Sequence, residues 1–460
     1  MASLLYSQVV KMTLLEEHIK EREKELKELK EYEKELKECE KELYSKECVI
    51  QSINFVVDEA SKKVPGLKEY EKFSCYLATI LAREKQVVVV WLRILLDSCE
   101  IHLSKNFAWL DYDLKYIDKI MKYLKDISNN APAKLSNVEN AFTETVMLYC
   151  SAKLESRLKK LKDYIKNNSN NEHVKSFKDF FLTNINYTDS MTMISYVCNL
   201  YYKEVKDKQN KSNKSKIPLE FLEYIKKVGS YAGSMSGIID CARNIQFKQL
   251  FFNVKVFKRS PVIINNQSIY SWKNIIRRFI DEEKYKEFMD KCLNKTKVME
   301  RMRKVYTDNT TQQQQLLNDD DVKQCIYLHA EMNILTYIID NKINGRTFIA
   351  VSKKCCYLCE LYINFARDQG YNIIVTGNHK KVYSGWKLPN VKDSNFKIRS
   401  LRYILKSLDQ IIGKKLEHYT RSLPAVLNSN ENSLNPNNSN ENMDTYYKNT
   451  DKKIKKFSLF

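Results

Sequence analysis

The sequence predicts an α-helical N-terminal half followed by an α/β C-terminal domain, a mixed sheet flanked by helices. Three observations predict it. Apolar residues recur at helical spacing from about residue 14 to 228. Past the glycines at 229, 233 and 237 the texture changes, and Gln249 to Phe257 alternates and is rich in Phe and Val. From Cys325 to Pro389 the order reads helix, strand, helix, strand, which argues for parallel strands with right-handed crossovers. The 460 residues, 43% of them hydrophobic, suffice for two or three domains and at least one sizeable core.

Residues 14 to 47 read as a charged helix with a heptad seam of Leu29, Tyr32, Leu36, Cys39 and Leu43. Two uses of that seam stay open: a self-paired coiled coil, and a hairpin against a neighbouring helix. Helix then follows helix through Phe73 to Leu96, Leu114 to Leu124 and Val138 to Ile165. The run Val87 to Leu92 reads as a buried helix, broken at Arg93 and too short to span a bilayer. Polar breaks at Asn129 to Pro132, Asn167 to Glu172 and Lys206 to Lys216 are interhelical loops.

The spacing of Gly229, Gly233 and Gly237 fits either a close approach of helices or a hinge. The expected units are a charged helix at 1–50, an all-helical domain at 51–240, an α/β domain at 241–422 and a disordered Asn/Ser-rich tail at 423–460. Within the α/β unit, Pro261 to Ile264 is the expected hairpin partner of Gln249 to Phe257. Helices are expected at 271–282 and 284–306, and Thr307 to Asp321 is a polar loop. Glu331 to Ile339, Cys356 to Asp368 and Ser400 to Arg421 read as helices. Arg346 to Val351 and Tyr371 to Thr376 read as strands.

The formal charge of +20 favours nucleic acid or another acidic partner, or reflects a Lys- and Asn-rich composition alone. Most of the twelve cysteines stand singly on apolar helical faces. Met1 to Val10 lacks the basic start of a secretory signal, so the expected setting is intracellular, cytoplasm or nucleus. In that reducing setting a cysteine cluster binds metal sooner than it forms disulfides.

His329-Ala330-Glu331 opens one predicted helix, and Cys356-Tyr357-Leu358-Cys359 opens the next. In an α/β sheet successive helix starts lie at the same edge, so two separated segments can meet at one metal. The CxxC spacing puts both sulfurs on one helical face, where the helix N-terminus favours thiolates. His329, Cys356 and Cys359 are therefore candidate Zn2+ ligands, leaving one tetrahedral position open. Glu331, a nearby carboxylate not assigned as a ligand, is the candidate catalytic proton shuttle. His379 and Trp386 follow the second strand and are candidates to line a substrate pocket, Trp386 by stacking on a base. Neither HAE nor CxxC is specific alone; their order, spacing and helix contexts give the signal.

The segment resembles the zinc-dependent nucleoside/nucleic-acid deaminase superfamily. More narrowly, it is similar to a mainly fungal deaminase family of unassigned substrate. The likeness rests on His329-Ala330-Glu331, on Ser352 to Cys359 and on His379 to Pro389, within about residues 240 to 422. It implies a cytidine-deaminase-like fold, catalytic Glu331 and zinc on His329, Cys356 and Cys359. One departure matters. Cys355 stands where the superfamily usually has proline, and is a candidate extra thiolate able to close the zinc.

Two functions follow as expectations. The first is a zinc-dependent hydrolytic deaminase acting on an amino-bearing nucleobase in a nucleoside, nucleotide or nucleic acid. Its partners would be that substrate, single-stranded nucleic acid, and a second copy through residues 14–47. The alternative is a catalytically inert basic scaffold or nucleic-acid-binding protein, with a structural zinc in a deaminase-like module.

Overall fold

Chain order alternates long helices with short strands. The computed structural model describes residues 2–53, 66–84, 86–184, 190–211, 217–308, 311, 321–379 and 381–420. The first half comprises α1 (Ala2–Ser52), α2 (Glu69–Leu81), β1 (Val88–Ile94), β2 (Cys99–Lys105), α3 (Asp111–Asn129), α4 (Ser136–Asn167), α5 (Glu172–Asn184), α6 (Met191–Lys211) and α7 (Leu219–Arg243). Then come α8 (Lys248–Phe252), β3 (Val254–Lys258), β4 (Ile263–Ile269), α9 (Trp272–Ile276), α10 (Glu282–Leu293) and α11 (Thr296–Val305). The last part holds β5 (Val322–Tyr327), α12 (Ala330–Asp340), β6 (Thr347–Val351), α13 (Tyr357–Asp368), β7 (Ile373–Val375) and α14 (Ser394–Thr420).

The main sheet has five strands in the order β3-β2-β1-β6-β7. The pairs β2–β3 and β6–β7 are parallel, and β1 runs antiparallel to both β2 and β6. The sheet is therefore mixed, as expected, with the predicted parallel pair at β6 and β7. Strand periodicity sorts its side chains into two cores. Val89, Trp91, Ile349 and Val351 face one core with α1 and α9 to α14. Val88, Val90, Leu92, Phe348 and Ala350 face the other, with α2 to α7. The helical first half thus covers one face of the sheet that carries the motifs.

Two expectations are corrected. Val87 to Leu92 is not a helix: Val88–Ile94 is β1, which enters the span read as all-helical. Four consecutive β-branched valines favour an extended chain, and a strand buried on both faces shows no alternation. Pro261 to Ile264 does not pair with the preceding strand either. β4 pairs with β5 and buries Ile269, Val322 and Ile326, while β3 takes its hydrogen bonds from β2. The start of the expected strand at Gln249 is the short helix α8.

The α1 seam is used within the chain. Leu36 and Cys39 pack against the core, Leu43 is buried in it, and α14 is a principal neighbour. Lys397 pairs with Glu40 at 2.7 Å across that contact. The side chains of Leu29 and Tyr32 lie outside the described residues, as do 421–460 and most of the Thr307 to Asp321 loop. Gly229 and Gly237 sit inside α7 and serve close approach. A Cβ at Gly229 would stand 2.5 Å from the backbone N of Asn199, and one at Gly237 would meet the Tyr76 ring at 2.2 Å. Among the described residues no helix is long and apolar enough to cross a membrane.

Candidate metal centre

His329 and Cys356 occupy the N-cap positions of α12 and α13, both in extended backbone conformation. The Cys356 side chain accepts the Cys359 N–H at 3.4 Å, which turns both sulfurs to one side of the first helical turn. The β1–β2 hairpin supports both helix starts. Asn106, just past β2, accepts the Ala330 N–H at 3.0 Å through Oδ1. Ser352, just past β6, accepts the Val88 N–H at 2.9 Å.

Three donor atoms converge there. His329 Nδ1 lies 3.2 Å from Cys359 Sγ and 3.5 Å from Cys356 Sγ, and the two sulfurs are 3.3 Å apart. All three side chains are buried. Tetrahedral zinc with sulfur near 2.3 Å and nitrogen near 2.0–2.1 Å needs donor–donor edges of about 3.5–3.8 Å. The observed triangle needs only a few tenths of an ångström of expansion, so the donor set fits zinc. Burial raises the Cys356 thiol, but hydrogen bonding to Cys359 and the His329 charge outweigh it and bring it down to about 6. Burial pushes Cys359 up, and the neighbouring Cys356 thiolate adds to that. Burial would lower His329, yet the Cys356 thiolate raises it.

Glu331 is buried, with Oε1 4.0 Å from His329 Nδ1. Cys355 lies outside the converging set. Its backbone is fixed by hydrogen bonds with Gly377 O at 2.9 Å and His379 N at 3.0 Å. Burial raises its thiol well above the ordinary range, and the nearby Glu331 carboxylate adds to the shift. His329 Nε2 is buried without a hydrogen-bond partner among the described residues.

The structure places His379 and Trp386 differently from one another. His379 is partly buried, its Nδ1 accepting the Lys381 N–H at 3.2 Å and its ring edge-on to Tyr383 at 5.1 Å. Burial, reinforced by Lys381, His329 and Lys354, lowers His379 to about 4, so the ring is neutral near pH 7. Trp386 is fully buried, and its indole N–H donates to Cys359 Sγ at 3.2 Å. Its ring presents no exposed face for stacking on a base. Gly385 before it has φ +81°, and a Cβ there would lie 2.8 Å from Cys325 O. That close approach allows Tyr327 N to donate to Gly385 O at 2.8 Å.

Sequence reasoning missed the contribution of α1. Tyr44 accepts the Leu388 N–H at 3.4 Å, and Gln51 Oε1 accepts the Ser384 N–H. Glu47 lies between them with no solvent exposure and, among the described residues, no hydrogen-bond partner for either oxygen. The Trp386 backbone N–H faces it outside hydrogen-bond geometry, and burial raises its carboxyl well above the usual range. The spacing 44, 47, 51 marks one helical face, but nothing in the sequence says which loop it meets.

Residues 328–390 match the model of the family described as OTT_1508_deam:-like deaminase. Nothing matches among curated proteins or among solved structures. The matched segment contains all three converging donors, and the match and the donor cluster together fit a zinc-deaminase-type module.

Proposed function

We propose that the chain is a hydrolytic deaminase that removes the amino group from a nucleobase, with His329, Cys356 and Cys359 holding Zn2+. One observation carries the reading: three buried N and S donors converge, with a buried carboxylate 4.0 Å from the histidine donor. A structural zinc site needs no such acid. Zinc held by His329, Cys356 and Cys359 would supply Lewis-acid activation of the attacking water near neutral pH. Glu331 would take a proton from the attacking water and deliver it to the ring nitrogen as the water oxygen bonds to the amino-bearing carbon; the bond from that carbon to the amino nitrogen would then break, and ammonia would leave with the second proton of the water. His379 lines the approach. The basic charge of +20 favours a phosphate-bearing substrate. All twelve cysteines are free thiols, in keeping with a reducing compartment.

The test is ammonia release by the zinc-loaded full chain from cytidine, adenosine and single-stranded DNA and RNA. Turnover that vanishes in Glu331→Ala while zinc content holds supports the reading. Bound zinc with no ammonia from any of these substrates supports the inert scaffold instead.

A further inference from the structure

Trp386 is too deeply buried to meet a base, but the residue bridged to it is not. Tyr327 ends β5, two residues before His329, and forms a parallel bridge with Trp386. Its N–H donates to Gly385 O at 2.8 Å, and its carbonyl accepts the Lys387 N–H at 3.0 Å. On the other side Ile263 of β4 stands opposite it. The backbone is thereby fixed from both directions. The Tyr327 ring lies 5.2 Å from the His329 ring, their planes tilted by 30°. One aromatic face is thus set against a candidate metal ligand.

The hydroxyl at the end of that ring is the informative group. Tyr327 is half-buried, and its O–H has no hydrogen-bond partner among the described residues. Burial raises the phenol to about 12, and the charges of Cys356, Glu331 and Cys359 add to the shift. Near neutral pH the group is therefore protonated and able to donate. Packing against His329 needs only the ring, and phenylalanine would serve it equally. A partly desolvated hydroxyl without an acceptor carries a cost that a bound acceptor removes.

We propose that Tyr327 is a substrate-contacting residue: its ring braces His329 while its hydroxyl donates to an acceptor on the edge of the base. That acceptor is a carbonyl oxygen or an unprotonated ring nitrogen other than the one Glu331 serves. The identity of the ligand as a base rests on the deaminase reading.

The experiment measures binding of cytidine, adenosine and single-stranded DNA and RNA oligonucleotides to the zinc-loaded full chain. A Glu331→Ala background keeps every probe intact. Tyr327→Phe keeps the ring and removes the donor. It is expected to bind the preferred probe about tenfold more weakly. Zinc affinity, measured by chelator competition, should stay unchanged. Equal probe binding with and without the hydroxyl overturns the proposal. So does a loss of zinc affinity in step with the loss of binding, which would make the hydroxyl a support of the metal. Absence of binding for every probe in the parent chain overturns it as well. Ammonia release by the chain with Glu331 intact is read separately. Weakened binding in Tyr327→Phe without ammonia from the intact chain retires the deaminase reading and keeps the contact. Ammonia release with unweakened binding in Tyr327→Phe does the reverse.

Discussion

Trp386 donates its indole N–H to Cys359 Sγ at 3.2 Å from a position with no solvent exposure. The ring lies under the metal centre, and its donor bond favours the thiolate form that a metal needs. Trp386→Phe keeps most of the apolar volume and removes the donor. The expected result is zinc affinity about 10–100-fold weaker, measured by competition with a chelating dye, in a protein that still folds. Unchanged affinity means that the bond does not support Cys359.

Asn106 reaches across to the other helix start, accepting the Ala330 N–H at 3.0 Å next to His329. Asn106→Ala removes a cap and is expected to cost about 1 kcal/mol in urea unfolding. It should also weaken zinc binding, because the histidine donor sits at the helix end that the cap fixes. A stability loss without any change in zinc affinity would show that His329 is held independently of the hairpin.

Glu71 on α2 binds the Arg346 side chain through two hydrogen bonds of 2.8 and 2.9 Å and accepts the Lys68 N–H at 2.8 Å. Burial alone would raise its carboxyl, but the Arg346 and Lys68 bonds outweigh it and hold the group below the usual carboxylate range. A folded pKa below the unfolded one gives stability that is present above the unfolded value and lost as pH falls through the folded value. Glu71→Gln is therefore expected to lose about 1–3 kcal/mol at neutral pH and much less at about pH 3. Denaturant unfolding at the two pH values measures the difference, and an equal loss at both contradicts the account.

How far the sequence revealed this molecule depended on the range of the signal. His329, Glu331, Cys356 and Cys359 were legible because each pair lies within one helical turn, and the turns begin at a shared sheet edge. The helix–strand–helix–strand order and the parallel β6–β7 pair came from the same local patterns. The Val88 to Leu92 strand was not legible, since a continuous apolar run does not separate a buried strand from a buried helix. Its pairing with β6 spans more than 250 residues, as Val89 opposite Val351 shows. The partnership of β4 with β5 likewise skips three helices and a loop. Asn106, Glu47 and Tyr327 carry no motif; only the assembled fold shows what each one faces.

Zinc-edge X-ray absorption on the metal-loaded full chain tests the central claim, a three-donor site with one position open. The account predicts two sulfurs near 2.3 Å and one nitrogen at about 2.0–2.1 Å, with one further light atom that does not come from the protein. Three sulfurs and one nitrogen, reverting to two sulfurs in Cys355→Ser, would place Cys355 on the metal and contradict it.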